Sequence, residues 1–312
     1  MTALQESNFK KIAVLGTGAI GSYYGARLAR NGVDVHFLAR SDAQVLRTEG
    51  IQVQLVDDQW TVYPVQAYTD AREIGTCDLV IVALKATGNS ALKTLVPPLL
   101  HERTAILTLE NGLGSDELLA EQFGVERVIG GLCFIAANRI EPGKVRCFHP
   151  GSISIAEFGR PISERVRDLE NLFNQAGVKC QANDDLAGLR WRKLVWNIPF
   201  NGLSIAAGGI ATDQLLADPN LLNEIRELMR EVLSAAKFLG HTIPESFADQ
   251  QIAVTYPMGP YKPSSLIDFL AGREVEVEAI WGEPLRRAQV AGAHVPRLAV
   301  LYEKLKKLTG SS

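Results

Sequence analysis

The chain has 312 residues, of which 46% are hydrophobic and 21% charged. This composition is typical of a globular protein and unlike that of a disordered or fibrous chain. Thirty-two Lys and Arg against 35 Asp and Glu give a formal charge of −3, and the absence of a basic domain or tail argues against a nucleic-acid partner.

The sequence shows no sign of a membrane span or a leader. No apolar run approaches the ~18 residues that a membrane-spanning helix needs, and the N-terminal stretch Met1–Lys11 is polar. We therefore expect a cytoplasmic protein.

The cysteines form no recognisable metal site or disulfide framework. They lack the C-x-x-C spacing, and no histidines stand at zinc-finger intervals from them. The four are Cys77, Cys133, Cys147 and Cys180. We expect reduced, mostly buried thiols.

The first half of the chain alternates strand and helix patterns. The apolar run 11–15 leads through a glycine-rich turn into a helical pattern that ends near Ala29. The further predictions are strands at 33–39, 78–84 and 104–109, with helices near 41–48 and 88–96. Strands that alternate with helices predict a parallel sheet covered on both faces, a doubly wound α/β fold.

Other strand patterns interrupt and complete this half. Alternating residues at 51–56 and 60–66, around Asp57, Asp58 and Gln59, predict an inserted antiparallel hairpin. The later predictions are strands at 127–134, 144–148 and 152–156, a helix after Pro161, and a brief strand at 178–182. These elements end the α/β half.

From Asp184 onward long helical patterns dominate. They are predicted at about 185–206, 220–239, 244–256, 277–291 and 297–308. At about 100–200 residues per domain the length favours two domains, and we place the boundary near residue 182. The domains are then 1–182, an α/β domain, and 183–312, an all-helical domain.

Three glycines form the motif G-x-G-x-x-G between the first predicted strand and helix. Gly16 permits a tight turn, Gly18 lets the backbone approach a pyrophosphate, and Gly21 lets helix pack on strand. The helix that begins near Ala19 and Ile20 offers free N–H groups to an anion. We predict a dinucleotide-binding turn, with an ordinary glycine-rich turn as the alternative.

The end of the second strand indicates which dinucleotide is bound. NAD enzymes usually carry an acid there, which accepts hydrogen bonds from the ribose 2′-hydroxyl, whereas this chain has Arg40. A guanidinium suits a 2′-phosphate, so NADP is favoured over NAD. Lys85 ends another strand at the ligand-binding edge of the sheet, so we take it as a candidate contact for the cofactor or for the substrate. For either residue, a solvated side chain at a strand end is the alternative.

A polar stripe lies on the first long helix of the second half. Lys193, Asn197 and Asn201 recur at i, i+4 and i+8, which puts all three on one face of an otherwise apolar helix. Buried amine and amide groups need partners, and a ligand is one way to supply them. Pro199 should kink this helix or widen it locally. A structural hydrogen-bond network between helices is the alternative.

Three more polar residues stand where a site is expected. Asn111 follows a buried strand and precedes a glycine-rich turn into a helix, and Ser264 lies in a loop that starts with proline before a helical segment. Glu276 is one of three alternating acids, so the sequence alone singles it out only weakly.

Taken together, these segments resemble the ketopantoate reductase (2-dehydropantoate 2-reductase) family. The likeness runs in matching order from about residue 10 to residue 305. Its specific features are the ENGLGS turn, the WRKLVWNIPFN helix, and KPSSLIDFLAGREVEVEAIWG followed by GAHVP. The resemblance implies an N-terminal Rossmann domain and a helical domain similar to that of 6-phosphogluconate dehydrogenase. It also implies NADPH-dependent reduction of 2-dehydropantoate to D-pantoate, on the route to pantothenate and coenzyme A.

The resemblance assigns roles residue by residue. Lys193 matches the family's catalytic lysine, and Asn197 and Asn201 match substrate-contacting asparagines. The remaining active-site residues match Asn111, Ser264 and Glu276, with Glu276 taken as catalytic, Asn111 and Ser264 as substrate-binding, and Asn111 also as cofactor-binding. Glu231 matches an acid to which no role is given.

Two departures leave the substrate open. Glu110 stands where many members carry an uncharged residue, and Tyr261 stands where some carry an asparagine. A paralogue that reduces another 2-oxo acid is therefore the main alternative. A non-catalytic NADP-binding protein is the other, but it would not need the polar stripe. A homodimer is left open by the sequence.

Overall fold

The computed structural model describes residues 7–310, so residues 1–6, part of the polar stretch from which no leader is expected, lie outside the described residues. The chain forms two compact units. One comprises the residues up to Glu110 together with Ser115–Leu186, and the other comprises Asn111–Gly114 together with the residues from Ala187 on. The sequence analysis does not predict that the short segment Asn111–Gly114 belongs to the second unit.

The first unit is built on one ten-stranded sheet. Its strands are β1 Lys11–Leu15, β2 Asp34–Leu38, β3 Ile51–Gln54, β4 Gln59–Val62, β5 Gln66–Tyr68, β6 Leu79–Val82, β7 Ala105–Thr108, β8 Val128–Glu141, β9 Lys144–Glu157 and β10 Cys180–Asn183. Its helices are α1 Ala19–Arg30, α2 Ala43–Glu49, α3 Ala71–Ile74, α4 Leu92–Leu95, α5 Ser115–Phe123 and α6 Glu164–Gln175.

Six of these strands form a parallel sheet in the order β5-β2-β1-β6-β7-β8. Numbered along the chain within this subset, the order is that of the doubly wound dinucleotide-binding fold. Both faces are buried, since Ile12 and Val14 of β1 lie in one core cluster and Ala13 and Leu15 lie in another. The predicted doubly wound sheet is confirmed.

The rest of the sheet is an extension beyond β8. β8 and β9 are antiparallel strands of 14 residues each, whose pairing is interrupted by register shifts. The sequence predicts three shorter pieces here because the polar and exposed positions of this hairpin break the alternating pattern. β3 pairs with β9, and its antiparallel partner β4 completes the predicted hairpin at the edge of the sheet.

The second unit is helical. Its helices are α7 Leu186–Ala206, α8 Thr212–Ala217, α9 Pro219–Phe238, α10 Ser246–Thr255, α11 Ser264–Leu270, α12 Glu283–Val290 and α13 Pro296–Thr309. A π-helical turn, Glu278–Gly282, leads directly into α12. The five predicted long helices are present, although the predicted helix 277–291 begins as this π turn.

One core holds the second unit together. The apolar stripes of the three longest helices meet in it, and the π turn adds Ile280 and Trp281, both 0% exposed. Burying such side chains contributes about 1.5–3 kcal/mol each. The polar stripe of α7 therefore lies on a helix most of whose other positions are buried.

The four cysteines are buried, as expected. Between residues 7 and 310, no helix combines the length and apolar character needed to cross a bilayer. Over the same residues, the histidines, cysteines and acids form no group that could hold a metal ion.

Candidate active site

The first glycine of the motif makes the tight turn that follows β1. Gly16 has φ +101°, and a Cβ atom there would lie 2.9 Å from the carbonyl oxygen of Ala83. Its N–H donates to the carbonyl of Leu38 at 3.2 Å, which ties the turn to the end of β2. Only glycine tolerates this conformation and this close approach.

The other two glycines have different roles: Gly21 allows close packing, and Gly18 leaves the backbone accessible. A Cβ on Gly21 would lie 2.0 Å from the carbonyl oxygen of Gly16, so the absence of a side chain lets α1 pack against the turn. At Gly18, the N-cap of α1, a Cβ would meet nothing within 4 Å. Ala19 and Ile20 then begin the helix and present its first N–H groups. An open backbone beside a helix N-terminus fits a pyrophosphate.

Two cations follow neighbouring strands of the parallel sheet. Arg40 comes two residues after β2 and is exposed, without a hydrogen bond or ion pair to the described residues. Lys85 is half-buried and stands at the N-cap position of a short 3-10 helix after β6. The carboxyl ends of parallel strands meet at one edge, so both cations lie on the same side of the sheet as the glycine turn. These residues fit an NADP molecule, with Arg40 the group suited to its 2′-phosphate.

The predicted polar stripe is present on α7. Lys193 is half-buried, Asn197 is 8% exposed and Asn201 is 1% exposed. Pro199 lies inside the helix, as predicted. Trp281 Nε1 donates to the carbonyl oxygen of Ile198 at 3.0 Å, and thereby attaches the π turn to α7 between the two asparagines.

Lys193 is directly joined to another predicted site residue. Its Nζ donates to Oδ1 of Asn111 at 2.7 Å, and both residues belong to the second unit. The turn that carries Asn111 is anchored there, because Leu113 is buried in the helical core and its N–H donates to the carbonyl oxygen of Ala279 at 2.9 Å. Gly112 has φ +79°, and a Cβ on it would lie 2.2 Å from the same oxygen.

Asn201 connects the stripe to Ser264. Its Oδ1 accepts the N–H of Ser265 at 2.9 Å, one residue into α11. Ser264 is the first residue of that helix and is exposed. Asn201 thus acts as a cap supplied by another helix, and its carbonyl oxygen is committed to holding the start of α11.

Glu276 lies two residues before the π turn. It is 8% exposed, and its carbonyl oxygen accepts the N–H of Ile280 at 3.1 Å. The π turn therefore connects Glu276, the anchor of Asn111 at Ala279, and the α7 contact made by Trp281. Such turns are frequent at functional sites.

The remaining acid of the resemblance has a structural role. The two oxygens of Glu231, on α9, accept the N–H groups of Arg297 at 3.0 Å and Leu298 at 2.9 Å. These are first-turn N–H groups of α13, so Glu231 caps that helix. It is not placed among the site residues.

The two departures from the family pattern lie in different surroundings. Glu110 is 3% exposed and directly precedes the Asn111 turn. Tyr261 is half-buried near the ring of Trp196, with centroids 6.3 Å apart, and burial raises the pKa of its phenol.

The sequence analysis misses the residues that hold the site in place. These residues are Leu113, Ala279 and Trp281, and none of them carries a group proposed for the reaction. Apolar residues of their kind are common throughout the chain. Leu113 stands as one apolar residue between two glycines, and this was the only local signal of an anchored turn.

The fold and these residues define the class of protein. A doubly wound sheet with an open glycine turn, joined to a helical unit that carries an oriented lysine, is the arrangement of a dinucleotide-dependent oxidoreductase. Residues 12–160 match the family model of ketopantoate reductase PanE/ApbA, and residues 185–309 match the model of its C-terminal part. The chain belongs to the ketopantoate reductase family.

Relatives support this over nearly the whole length. A 2-dehydropantoate 2-reductase of Nostoc sp. is 41% identical over 97% of this chain and 96% of its own. The crystal structure of a 2-dehydropantoate 2-reductase from Geobacter metallireducens is 42% identical, with a TM-score of 0.93, covering 95% of this chain and 99% of that one. One from Methylococcus capsulatus is 33% identical, with a TM-score of 0.88, covering 97% of this chain and 98% of that one.

Proposed function

We propose that this protein catalyses the NADPH-dependent reduction of 2-dehydropantoate to D-pantoate. The observation that carries the proposal is the hydrogen bond from Lys193 to Asn111 at 2.7 Å, made by a lysine whose helix also carries Asn197 and Asn201 on the same face. Family membership supplies the substrate class. The proposed catalytic residues are Lys193 and Glu276, and the proposed substrate-binding residues are Asn111, Asn197, Asn201 and Ser264.

The first unit would hold the cofactor. Gly16, Gly18 and Gly21 shape the turn, the N–H groups of Ala19 and Ile20 would bind the pyrophosphate, and Arg40 would bind the 2′-phosphate, with Lys85 as a further contact. Asn111, the remaining proposed cofactor-binding residue, belongs to the second unit. NADPH, when bound, supplies the hydride that reduces the C2 ketone. The proposal of NADPH over NADH depends on Arg40.

Lys193 would complete the reaction. As hydride adds to C2, negative charge develops on the ketone oxygen, and an ammonium at that oxygen stabilises it and donates a proton. The lysine regains the proton from water, so the turnover consumes one proton. Asn111 holds the ammonium group by its amide oxygen, which fixes one of the three N–H directions before substrate arrives.

The amides and hydroxyl would orient the rest of the substrate. 2-Dehydropantoate offers a carboxylate, a ketone and a terminal hydroxyl, and each needs a polar partner once it leaves water. The stripe residue Asn197 and the first residue of α11, Ser264, are suited to this role. Asn201 contributes mainly by holding α11, since its carbonyl oxygen is already committed.

The proposal also covers location and partners. Four free cysteines are typical of proteins from reducing compartments, which supports the cytoplasm. A formal charge of −3 supports the expectation of no nucleic-acid partner. A homodimer, left open by the sequence, is tested by sedimentation equilibrium.

The test is a kinetic assay with a panel of 2-oxo acids, in which the oxidation of NADPH is monitored by its absorbance. Alongside 2-dehydropantoate, the panel includes 3,3-dimethyl-2-oxobutanoate, which differs only by lacking the terminal hydroxyl. A site built to bind that hydroxyl should favour the natural substrate by about 10²-fold or more in kcat/KM. A higher kcat/KM with another 2-oxo acid would show that the protein is a paralogue with a different substrate. If none of the acids in the panel is reduced, the alternative of a non-catalytic NADP-binding protein would be favoured.

A further inference from the structure

A buried carboxylate lies two residues beyond Arg40. Asp42 is 2% exposed and stands at the N-cap position of α2, yet its side chain accepts no hydrogen bond from that helix. Its Oδ2 accepts from Oγ1 of Thr17 at 3.3 Å, and its Oδ1 accepts from Oγ of Ser41 at 2.8 Å. An ion pair with Nη1 of Arg139 completes the set. Asp42 is therefore committed to partners outside its own helix.

Two of these partners come from the segments proposed to hold the cofactor. Thr17 lies between Gly16 and Gly18 of the turn, Ser41 directly follows Arg40, and Arg139 comes from β8. All belong to the first unit. One carboxylate thus ties the glycine turn and the Arg40 segment to a hairpin that lies far away in sequence.

Without a positively charged partner, the carboxylate of Asp42 would weaken the binding of NADPH. An acid near the end of β2 is the group with which NAD enzymes hold the ribose hydroxyls, and a free carboxylate repels a phosphate. Arg139 removes this conflict by pairing with the acid. The side chain of Arg139 is 39% exposed, whereas that of Asp42 is buried. Only the arginine end of the ion pair therefore reaches the protein surface.

We propose that Arg139 is a second determinant of the preference for NADPH over NADH, acting as a positioning residue through Asp42. It cancels the charge of Asp42 and holds the segment that carries Arg40. This inference rests on the proposed NADPH dependence.

The experiment measures nucleotide affinity rather than turnover. Isothermal titration of the full-length protein with adenosine 2′,5′-bisphosphate and with 5′-AMP reports the contribution of the 2′-phosphate alone, and NADPH and NADH are titrated in parallel. The variants are Arg139→Gln, Arg139→Lys, and the double variant Arg139→Gln with Asp42→Asn. Arg146→Gln is the control, since Arg146 is an exposed arginine of β9, the other strand of the same hairpin.

The expected results distinguish an effect of the Arg139 charge from a general loss of structure. Arg139→Gln weakens the bisphosphate and NADPH about tenfold or more, because the acid is no longer neutralised, while 5′-AMP and NADH change little. Arg139→Lys and the double variant keep most of the wild-type preference, since one retains the positive charge and the other removes the negative one. Arg146→Gln leaves the preference unchanged. Thermal melts confirm that each variant is folded, and Arg139→Met replaces Arg139→Gln if the latter is not.

Two results would overturn the role of Arg139. One is an unchanged ratio of bisphosphate to 5′-AMP affinity in Arg139→Gln, and the other is an equal loss of all four nucleotides that the double variant does not reverse. The proposed cofactor is tested separately by the wild type. If wild-type protein binds the bisphosphate no more tightly than 5′-AMP, the NADPH proposal itself fails.

Discussion

Lys193 and Asn111 are 82 positions apart in sequence, and their side chains are joined by a hydrogen bond of 2.7 Å. The amide belongs to a four-residue segment that leaves the α/β unit, is anchored in the helical unit, and returns. The proposed proton donor is thus oriented by a turn whose own position depends on Gly112, Leu113 and Ala279.

Replacing Gly112 should disturb the proposed chemistry more than the binding of cofactor. In Gly112→Ala the new Cβ would lie 2.2 Å from the carbonyl oxygen of Ala279, at φ +79°. The strained backbone alone costs about 1–3 kcal/mol, and the clash displaces Asn111 from Lys193. We expect lower stability in urea unfolding and a fall in kcat that is larger than the weakening of NADPH, because Asn111 is the only proposed cofactor contact that the clash displaces.

Gly292→Ala is the matched control for that variant. Gly292 also has a positive φ, +82°, but a Cβ on it would meet nothing within 4 Å. Gly292→Ala should therefore lose stability because of its strained backbone but keep its kcat. Equal kcat values in the two variants would argue against a positioning role for the Asn111 turn.

Asn201 should act through α11. Asn201→Ala removes the acceptor of the Ser265 N–H, which costs about 0.5–2 kcal/mol as a lost helix cap, and it should raise the KM for 2-dehydropantoate by releasing Ser264. Asn201→Asp keeps an acceptor and should recover most of the stability. Urea unfolding and steady-state kinetics of the two variants check this, and an Asp variant as unstable as the Ala variant would contradict the capping role.

Arg40 should distinguish the two dinucleotides. Loss of a charge-assisted phosphate contact costs about 1.5–3 kcal/mol, so Arg40→Ala should weaken NADPH more than tenfold and leave NADH unchanged. Arg40→Lys keeps the charge without the bidentate geometry and should fall between. Fluorescence titration with both nucleotides measures this, and unchanged NADPH affinity in Arg40→Ala would remove Arg40 as the selector.

Glu157 gives the fold a predicted dependence on pH. Burial raises the pKa of this carboxyl, but the hydrogen bonds from Arg165 and Ser163 and the charges of Arg165 and Arg160 outweigh it, so the pKa is lowered overall. A carboxyl whose folded pKa lies below its unfolded value of about 4.3 stabilises the fold above that value. The contribution is lost as the pH falls through the folded pKa.

Glu157→Gln should therefore be less stable than the wild type at neutral pH by about 1–3 kcal/mol. The difference should shrink as the solution is acidified. Glu126→Gln is the control, because Glu126 is 63% exposed and lies 3.9 Å from Arg127, a pair that contributes little. Urea unfolding at several pH values measures both, and a pH-independent difference for Glu157→Gln would contradict the account.

Much of the fold could be predicted from local patterns, because they repeat at short spacing. The apolar runs of β1, β6 and β7 predict buried parallel strands, and the i, i+4, i+8 spacing on α7 predicts a shared polar face. The length of β8 and β9 could not be predicted, since their outer parts are exposed and polar residues such as Asn138 break the alternation.

The candidate site is predictable in its parts and not in its assembly. The sequence pattern places Asn111 at the end of a strand, but its membership of the helical unit depends on Leu113 packing into a core built from distant helices. The pairing of Asp42 with Arg139 likewise joins residues 97 positions apart. Contacts of this kind carry no signature in the local sequence.

Lys193→Ala tests whether Lys193 donates the proton during reduction of the ketone. The variant is compared with the wild type in kcat for 2-dehydropantoate, Kd for NADPH and melting temperature on the same preparation. We expect kcat to fall by about 10²–10⁴, the range for loss of a general acid, while NADPH binding is retained. A lysine that only bridges α7 to the Asn111 turn would instead lower the melting temperature and leave kcat of the folded enzyme near normal, and that result would exclude Lys193 as the proton donor.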